Sequence, residues 1–415
     1  MRRRILGLAV ITAICAALLL GCSRSPSSNK PTDYYPTPEP IVVAPDPLAP
    51  GMPAFHASLP EAGATAPGTI VATEPFTYEG PPNRAWRVAY TSRSIDDRPI
   101  VVTGLVIIPA GTPPPGGWPV VSWAHGTTGI GDLCAPSVAP SPMTPARGML
   151  SAGFALVATD YEGLGTVGRH PYLVGASEAR STLDIALAAS RVPDWNLSRR
   201  VAVWGHSQGG HAALFTPTIA AEYEPDISLV AVVAGAPPTG LDLLDVEGGA
   251  SSLRPLTVFV ALAFNAIDPV GAPLDAALTE TGIEVALTAS QFCNAQVHAA
   301  VDALPPGTAI TRTDPSDGWR ALLRANDPLH IETPSKIPTL VIHGSADDLI
   351  PVAGSISLLR TYCEIGRPTE LWMGEGADHS SIVNITFPTM TQWIAARFAG
   401  SDPVSPGPGV TRTTC

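Results

Sequence analysis

The segment from Arg200 to Ala212, Arg-Val-Ala-Val-Trp-Gly-His-Ser-Gln-Gly-Gly-His-Ala, constrains the fold more than any other part of the chain. It has the pattern of a short buried strand, a glycine-flanked turn and a small-residue helix. In this G-x-S-x-G pattern, Gly205 and Gly209 leave room for a sharp turn, so the Ser207 hydroxyl projects away from the core. The main-chain N–H of Gln208 then points toward the same space. The pattern predicts a nucleophile elbow with Gln208 as one oxyanion-hole donor.

A serine nucleophile needs a base and an acid, and both follow Ser207 in the order Ser, Asp, His. The pattern G-x-x-D-x-x-I-P places Asp347 after the apolar run 337–343, and His379 follows the apolar run 370–373. Each residue therefore follows a predicted strand, where catalytic loops of such sheets lie. We predict a triad of Ser207, Asp347 and His379.

Neighbouring residues offer alternatives for the acid and the base. Asp348 is the alternative acid. The alternative bases are histidines beside the elbow or near strand ends, for which orienting or packing roles are expected: His125, His206, His211 and His343.

The regions around the elbow alternate between strands and helices. Apolar runs typical of strands covered on both faces are 119–124, 154–159, 229–234 and 337–343, and helical patterns cover 176–192 and 209–223. From 239 to 335 strand patterns give way to Ala/Leu-rich helical ones, and a structureless loop of that length is improbable. We predict an α/β fold with a mostly parallel sheet, helices on both faces and an inserted helical cap.

The strand 119–124 ends in His125-Gly126-Thr127-Thr128-Gly129, a flexible loop at the end of the sheet where an oxyanion hole is assembled. We assign the second oxyanion N–H to Thr127; the alternative is a simple turn with a core-facing His125. Asp160 and Glu162 follow the next strand on the wrong loop for the triad, so they are expected to line a pocket or form hydrogen bonds.

The N-terminus has the pattern of an export signal. Three arginines precede an apolar run from residue 5 to 20, and Leu19-Leu20-Gly21-Cys22 resembles a bacterial lipobox, which predicts lipidation of Cys22. Ordinary secretion is the alternative. The predicted organisation is a lipoprotein signal peptide at 1–21, a Pro/Ser-rich tether at 22–60, a hydrolase core at 61–238 and 336–400, the cap at 239–335, and a tail at 401–415 held by its cysteine.

Net charge argues against several partner classes. Removal of residues 1–21, with their three arginines, takes the formal charge from −12 to −15. An acidic chain without a basic cluster is not expected to bind nucleic acid, and membrane attachment would depend on the lipid. No metal-ligand spacing or phosphate-binding loop is evident, so neither metal nor cofactor is expected.

Four cysteines remain after Cys15 and Cys22 are set aside, an even number in an exported chain. Of three possible connectivities, we predict Cys134 with Cys293 and Cys363 with Cys415. The first pair would join the cap to the core, and the second would hold the tail.

Five motifs together resemble the secretory lipase family of fungi and actinobacteria, over residues 75–400. They are His125-Gly126-Thr127-Thr128, Cys134-Ala135-Pro136-Ser137, Asp160-Tyr161-Glu162-Gly163, Gly205-His206-Ser207-Gln208-Gly209 and Asp347-Asp348-Leu349-Ile350-Pro351. The resemblance implies an α/β-hydrolase fold, a helical lid between the sixth and seventh strands, hydrolysis of triacylglycerols or other esters, and no cofactor. It carries over Ser207, Asp347 and His379. The chain departs from the fungal members in its lipobox, its tether and its His125-Gly126 loop.

These patterns predict an exported serine carboxylic-ester hydrolase, a lipase or esterase acting on lipid or ester substrates, at the outer face of a bacterial membrane or secreted. An acyltransferase with the same triad is one alternative. A non-catalytic lipid-binding surface lipoprotein is another.

Overall fold

The computed structural model describes residues 47–139, 144–241, 253–289, 291–305, 307–311, 316–401 and 404–415. The predicted signal peptide, Cys22 and the first part of the predicted tether lie outside these residues. Within the described ranges, no helix has the length and hydropathy needed to cross a membrane.

Ten strands of the described chain form a single sheet. They are β1 (Ile70–Phe76), β2 (Asn83–Arg93), β3 (Pro99–Pro109), β4 (Trp118–Ala124), β5 (Ala155–Thr159), β6 (Leu197–His206), β7 (Ser228–Gly235), β8 (Thr339–Gly344), β9 (Thr369–Gly374) and β10 (Val410–Thr414). Their order is β1-β2-β3-β5-β4-β6-β7-β8-β9-β10. The neighbours from β5 to β9 are parallel, whereas the pairs toward both edges are antiparallel. The predicted mostly parallel α/β sheet is confirmed.

Helices cover both faces of this sheet. In the described residues they are α1 (Ala54–Ala57), α2 (Thr144–Ser151), α3 (Gly175–Ser190), α4 (Gln208–Tyr223), α5 (Arg254–Ile267), α6 (Leu274–Ala277), α7 (Glu280–Ala289), α8 (Asn294–Asp302), α9 (Asp317–Ala325), α10 (Val352–Glu364) and α11 (Ser381–Ala399). Alternate residues of a strand point to opposite faces. On β6, Ala202 and Trp204 pack with α2 and α11, while Val201 and Val203 pack with α3 and α4. The central strands are therefore apolar at consecutive positions.

Helices α5 to α9 interrupt the sheet between β7 and β8 and have an apolar cluster of their own, centred on α5. Phe259, Leu262 and Phe264 are fully buried in it, with Trp319 of α9 packed alongside. We call this region, residues 253–325, the helical insertion. It falls one strand later than the resemblance implies because β1 precedes the β2–β3 hairpin.

Residues 47–60 contact the core, although the sequence predicts an extended tether there. The His56 side chain is only 1% exposed, and its Nε2 lies 2.8 Å from Ser137 Oγ. The Ala49 N–H donates to Asp132 Oδ2 at 2.7 Å. The sequence did not predict these two contacts because Pro-rich composition sets local backbone preference, whereas burial of His56 depends on partners far along the chain.

The C-terminal segment adds a strand that the sequence analysis did not predict. β10 pairs antiparallel with β9, and Arg412 forms an ion pair with Glu370 at 2.9 Å. The Cys363–Cys415 disulfide fastens the end of this strand to α10. Since Pro and Gly dominate residues 402–409, the short Thr-rich strand that follows gives little signal without its pairing partner.

Candidate active site

The elbow has the geometry that its glycines indicate. Ser207 lies between β6 and α4 with φ 57° and ψ −122°, a conformation that non-glycine residues rarely adopt. A Cβ on Gly205 would lie 2.1 Å from Gly209 O, and a Cβ on Gly209 would lie 1.9 Å from Ala124 O. Only glycine fits at either position. The Ser207 N–H donates to Gly235 O at 2.8 Å, which fastens the turn to β7.

The structure brings two of the three predicted triad residues into direct contact. His379, after β9, has its Nδ1 2.7 Å from Oδ2 of Asp347, which follows β8. Two main-chain N–H groups, of Leu349 and Ile350, donate to the other oxygen of Asp347. Burial opposes ionisation of Asp347, but hydrogen bonds from His343 and His379 outweigh it and hold its pKa well below the ordinary value.

His206, the residue before Ser207, joins the elbow to His379. The His206 Nε2–H donates to His379 O at 2.7 Å, and the two imidazole rings lie 4.5 Å apart. In the described part of the chain no hydrogen bond joins Ser207 Oγ to the His379 ring. Such bonds often tighten only when substrate binds. The structure therefore places Ser207 beside the His379–Asp347 pair without a closed hydrogen-bond chain.

The alternative bases all have other partners. His343 contacts Ser355 Oγ through Nδ1 and Asp347 through Nε2, and His211 contacts Glu178. The pKa of His206 is lowered to about 4, first by burial and then by the neighbouring His379. His125 contacts the main-chain oxygens of Gly126 and Asp160. Of these four rings, only that of His343 shares the Asp347 carboxylate with His379.

The loop after β4 lies against the elbow. A Cβ on Gly126 would lie 3.2 Å from His206 O and 3.8 Å from Ser207 Cβ, so this peptide is adjacent to the serine. The Thr127 hydroxyl lies 2.8 Å from Tyr172 OH, and the Tyr161 hydroxyl donates to His125 O at 3.0 Å. Buried tyrosines thus hold the predicted donor Thr127 itself and His125, two residues before it.

The helical insertion is tied to this same loop. Cys134 and Cys293 form a disulfide, the Asn294 N–H donates to Thr128 O at 2.8 Å, and Gly129 forms a β-bridge with Cys293. Gly129 has φ 127° and lies so close to Cys293 that a Cβ would be 2.8 Å from its Cα. Both disulfides have the pairing expected from the sequence, and this one adjoins the predicted oxyanion loop.

The acidic residues after β5 form buried hydrogen bonds away from the triad. Asp160 is fully buried and accepts from Thr103 Oγ1, Ser137 N and Ser137 Oγ. Burial raises its pKa to about 6, against the opposing effect of those hydrogen bonds. Asp160 therefore holds the segment that follows Cys134, which agrees with the hydrogen-bonding role expected for it.

A second buried carboxylate, Glu178 on α3, contacts the residues just after Ser207, and sequence reasoning missed it. Its side chain accepts from Gln208 and His211 of the first turn of α4. The sequence signal was weak, because α3 also carries the charged residues Arg180 and Asp184 and Glu178 does not stand apart from them. Among the described residues, no group of three or more His, Cys, Asp or Glu side chains is arranged to hold a metal ion.

A mostly parallel sheet with a strained serine between β6 and α4, and a His–Asp pair following β8 and β9, defines an α/β-hydrolase. The solved structures agree in fold. The closed state of Candida antarctica lipase A superposes with a TM-score of 0.66 at 17% identity, covering 84% of this chain and 86% of that one. The rice cell wall degrading esterase LipA of Xanthomonas oryzae superposes with a TM-score of 0.69 at 21% identity, covering 80% and 98%.

The sequence comparison gives the family. A profile of the secretory lipases matches residues 142–292 and 323–406, more than half of the chain. The chain belongs to the secretory lipase family. Lipase 6 of Candida albicans is 26% identical over 282 residues, which are 61% of this chain but only 58% of that protein. A probable inactive lipase of Mycobacterium tuberculosis is 24% identical over 348 residues, or 77% of this chain and 74% of that protein.

Proposed function

We propose that this protein is an exported serine ester hydrolase that cleaves acyl esters, including those of lipids, through an acyl-enzyme intermediate. The observation that carries the proposal is the 2.7 Å contact between His379 Nδ1 and Asp347, beside a serine held in a strained elbow. Membership of the secretory lipase family supports the same conclusion.

The proposed chemistry assigns one task to each group. Ser207 Oγ attacks the ester carbonyl while His379 Nε2 removes its proton, and Asp347 stabilises the resulting imidazolium through Nδ1–H. The carbonyl oxygen becomes an oxyanion, which accepts hydrogen bonds from the main-chain N–H groups of Gln208 and Thr127. His379 then protonates the departing alcohol. Water, deprotonated by His379, attacks the acyl-enzyme, and His379 returns that proton to Ser207 Oγ as the carboxylic acid leaves.

Gln208 suits this role because of its place in the fold. As the first residue of α4, its main-chain N–H has no acceptor within the helix and lies at the positive end of the helix dipole. Thr127 follows the peptide that lies against Ser207. These two N–H groups would both donate to the oxyanion that forms beside Ser207.

The substrate class follows from the family and from the insertion. Several relatives are named lipases, and the helical insertion lies next to the oxyanion loop, where its buried Phe259 packs on Tyr172 with ring centroids 5.6 Å apart. Each methylene of an acyl chain that this apolar region removes from water would contribute about 0.8 kcal/mol. We propose long-chain acyl esters such as triacylglycerols, bound with the acyl chain along the insertion.

We further propose that the mature protein is a lipoprotein anchored through Cys22. The three-arginine start, the short apolar run and Leu19-Leu20-Gly21-Cys22 support it. The two disulfides of the described residues fit an oxidising environment outside the cytoplasm.

The test is hydrolysis of p-nitrophenyl esters from acetyl to palmitoyl by the wild type, Ser207→Ala, and a matched control, Ser198→Ala on the same strand. We expect activity in the wild type and control, and a loss of several orders of magnitude in Ser207→Ala. Added glycerol separates hydrolysis from acyl transfer, because an acyltransferase forms glycerol esters in preference to free acid. If the folded wild type cleaves no ester yet binds lipid vesicles, the non-catalytic alternative replaces this proposal.

A further inference from the structure

The side chain of Glu178 lies behind the elbow, fully buried between α3 and the first turn of α4. Its Oε1 accepts from Gln208 Nε2 at 2.9 Å and from the Leu173 N–H at 3.1 Å. Its Oε2 lies 2.7 Å from His211 Nδ1. One carboxylate therefore holds two side chains of the first turn of α4, those of Gln208 and His211. Neither contact belongs to the proposed triad.

His170 fixes the orientation of the Gln208 amide. Burial lowers the pKa of His170 to about 4, so its ring is neutral near pH 7. Its Nδ1–H donates to Glu162 O at 2.9 Å, which leaves Nε2 as an acceptor for Gln208 Nε2 at 2.8 Å. Both N–H bonds of the Gln208 amide are thus used. The reversed amide would direct its oxygen at the Glu178 carboxylate and is excluded by repulsion.

The network also reaches the helical insertion. His211 Nε2 lies 2.7 Å from Asn326 O, at the residue that follows α9, and the Asn326 side chain accepts from the Gly175 N–H at the start of α3. Glu178 therefore sits where α3, α4 and the end of the insertion meet.

We propose that Glu178 is a positioning residue for the oxyanion hole. It acts through Gln208, whose side chain it holds and whose main-chain N–H is the proposed donor to the oxyanion. A donor fixed in advance needs no reorganisation during the reaction, and misplacement by about 1 Å can cost about 100-fold in rate. This inference rests on the proposed ester hydrolysis, because Glu178 itself touches no reacting atom.

Two substitutions separate hydrogen bonding from charge. In Glu178→Gln the amide oxygen can still accept from Gln208 and Leu173, and the new N–H can donate to Nδ1 of a neutral His211 whose Nε2–H faces Asn326 O. All contacts are preserved without the charge. In Glu178→Met the volume is similar, but the acceptors are lost and the Gln208 amide has no partner on that side. The Met variant should release Gln208, and the Gln variant should hold it.

The first measurement is kcat and KM for p-nitrophenyl butyrate, with the active sites counted by fluorophosphonate labelling. The second is the affinity of an alkyl boronic acid, which forms a tetrahedral adduct on Ser207. For Glu178→Met we expect kcat to fall by about tenfold or more with KM within about twofold, and boronic acid binding to weaken by a similar factor to kcat. Glu178→Gln should stay within about threefold of wild type in both.

A matched control is Asp184→Asn. Asp184 is another buried carboxyl of α3, bonded to Tyr223 OH at 2.9 Å near the far end of α4. This change should alter thermal stability but leave kcat and boronic acid affinity per active site unchanged. If it lowers both as much as Glu178→Met does, the effect belongs to α3 packing in general and the proposal fails.

Four further results would decide the matter. Wild-type kcat per active site in Glu178→Met would overturn the positioning role, and so would equal impairment of the Met and Gln variants. If Glu178→Met does not fold, Gln208→Met removes the same hydrogen bond from its other end. That variant must then lower kcat by the factor expected for Glu178→Met, about tenfold or more. A folded wild type that hydrolyses no ester would instead refute the proposed function.

Discussion

Asp347 Oδ2 is shared by two histidines: His379 Nδ1 lies 2.7 Å from it and His343 Nε2 lies 3.2 Å from it. His343 is also anchored to α10 through Ser355 Oγ at 2.7 Å. The carboxylate is therefore held in place from the core while its contact with His379 faces the elbow. This arrangement distinguishes Asp347 from its neighbour Asp348, whose side chain is exposed.

We expect Asp347→Asn to lower kcat by about 10⁴-fold, because an amide cannot stabilise the imidazolium and favours the wrong tautomer of His379. Asp348→Asn, the adjacent matched control, should stay within about threefold of wild type. Kinetics with p-nitrophenyl butyrate at saturating substrate measure both. The reverse ranking would transfer the acid role to Asp348.

The two disulfides should differ in what they control. Removing either one opens a long loop and should destabilise the protein by about 4 to 5 kcal/mol at most in the chain-entropy model. Only Cys134–Cys293 adjoins the loop that carries Thr127. The double variant Cys134→Ser/Cys293→Ser should therefore lose kcat even at temperatures where it is fully folded.

The matched comparison is Cys363→Ser/Cys415→Ser, which should lose thermal stability but keep kcat when folded. Circular dichroism melts and kinetics at 15 °C separate the two quantities. Equal kcat in both double variants would show that the first disulfide contributes only stability.

Cys22→Ser should abolish lipidation. Expressed in a bacterial host with labelled palmitate, the wild type should incorporate label and partition into the Triton X-114 detergent phase. The variant should be unlabelled and appear in the aqueous phase, because no other part of the acidic chain is expected to attract a membrane. A labelled variant, or an unlabelled wild type, contradicts the proposed anchor.

Stability should depend on pH through His170. Its folded-state pKa of about 4 lies below its ordinary value of 6.5, chiefly because burial disfavours the charged ring. As the pH falls from about 6.5 to 4, the unfolded chain therefore binds a proton that the folded protein does not bind. The stability that is present above pH 6.5 is lost progressively on this acidification.

His170→Gln removes this titration. The slope of unfolding free energy against pH between about 4.5 and 6.5 should decrease by about 1 kcal/mol per pH unit, as measured by urea unfolding. The change in free energy at pH 7.5 records the lost hydrogen bonds separately. An unchanged slope would show that His170 does not stay neutral in the folded protein.

The parts of the structure that follow from local pattern were predictable. The elbow needs only glycines at fixed spacing, and the His379–Asp347 pair follows from loops that leave adjacent parallel strands. His56, β10 and Glu178 were missed for a common reason. His56 contacts Ser137, β10 needs the edge of β9, and Glu178 joins residues from 173 to 211, so each depends on contacts between distant segments that no local period reveals.

The strained backbone of the proposed nucleophile, Ser207 at φ 57° and ψ −122°, lowers the stability of the fold. Such a conformation costs a non-glycine residue about 1 to 3 kcal/mol, and glycine adopts it with little strain. Ser207→Gly should therefore abolish ester hydrolysis and raise the free energy of unfolding. The serine hydroxyl is therefore held at this turn at a cost of about 1 to 3 kcal/mol in folding stability.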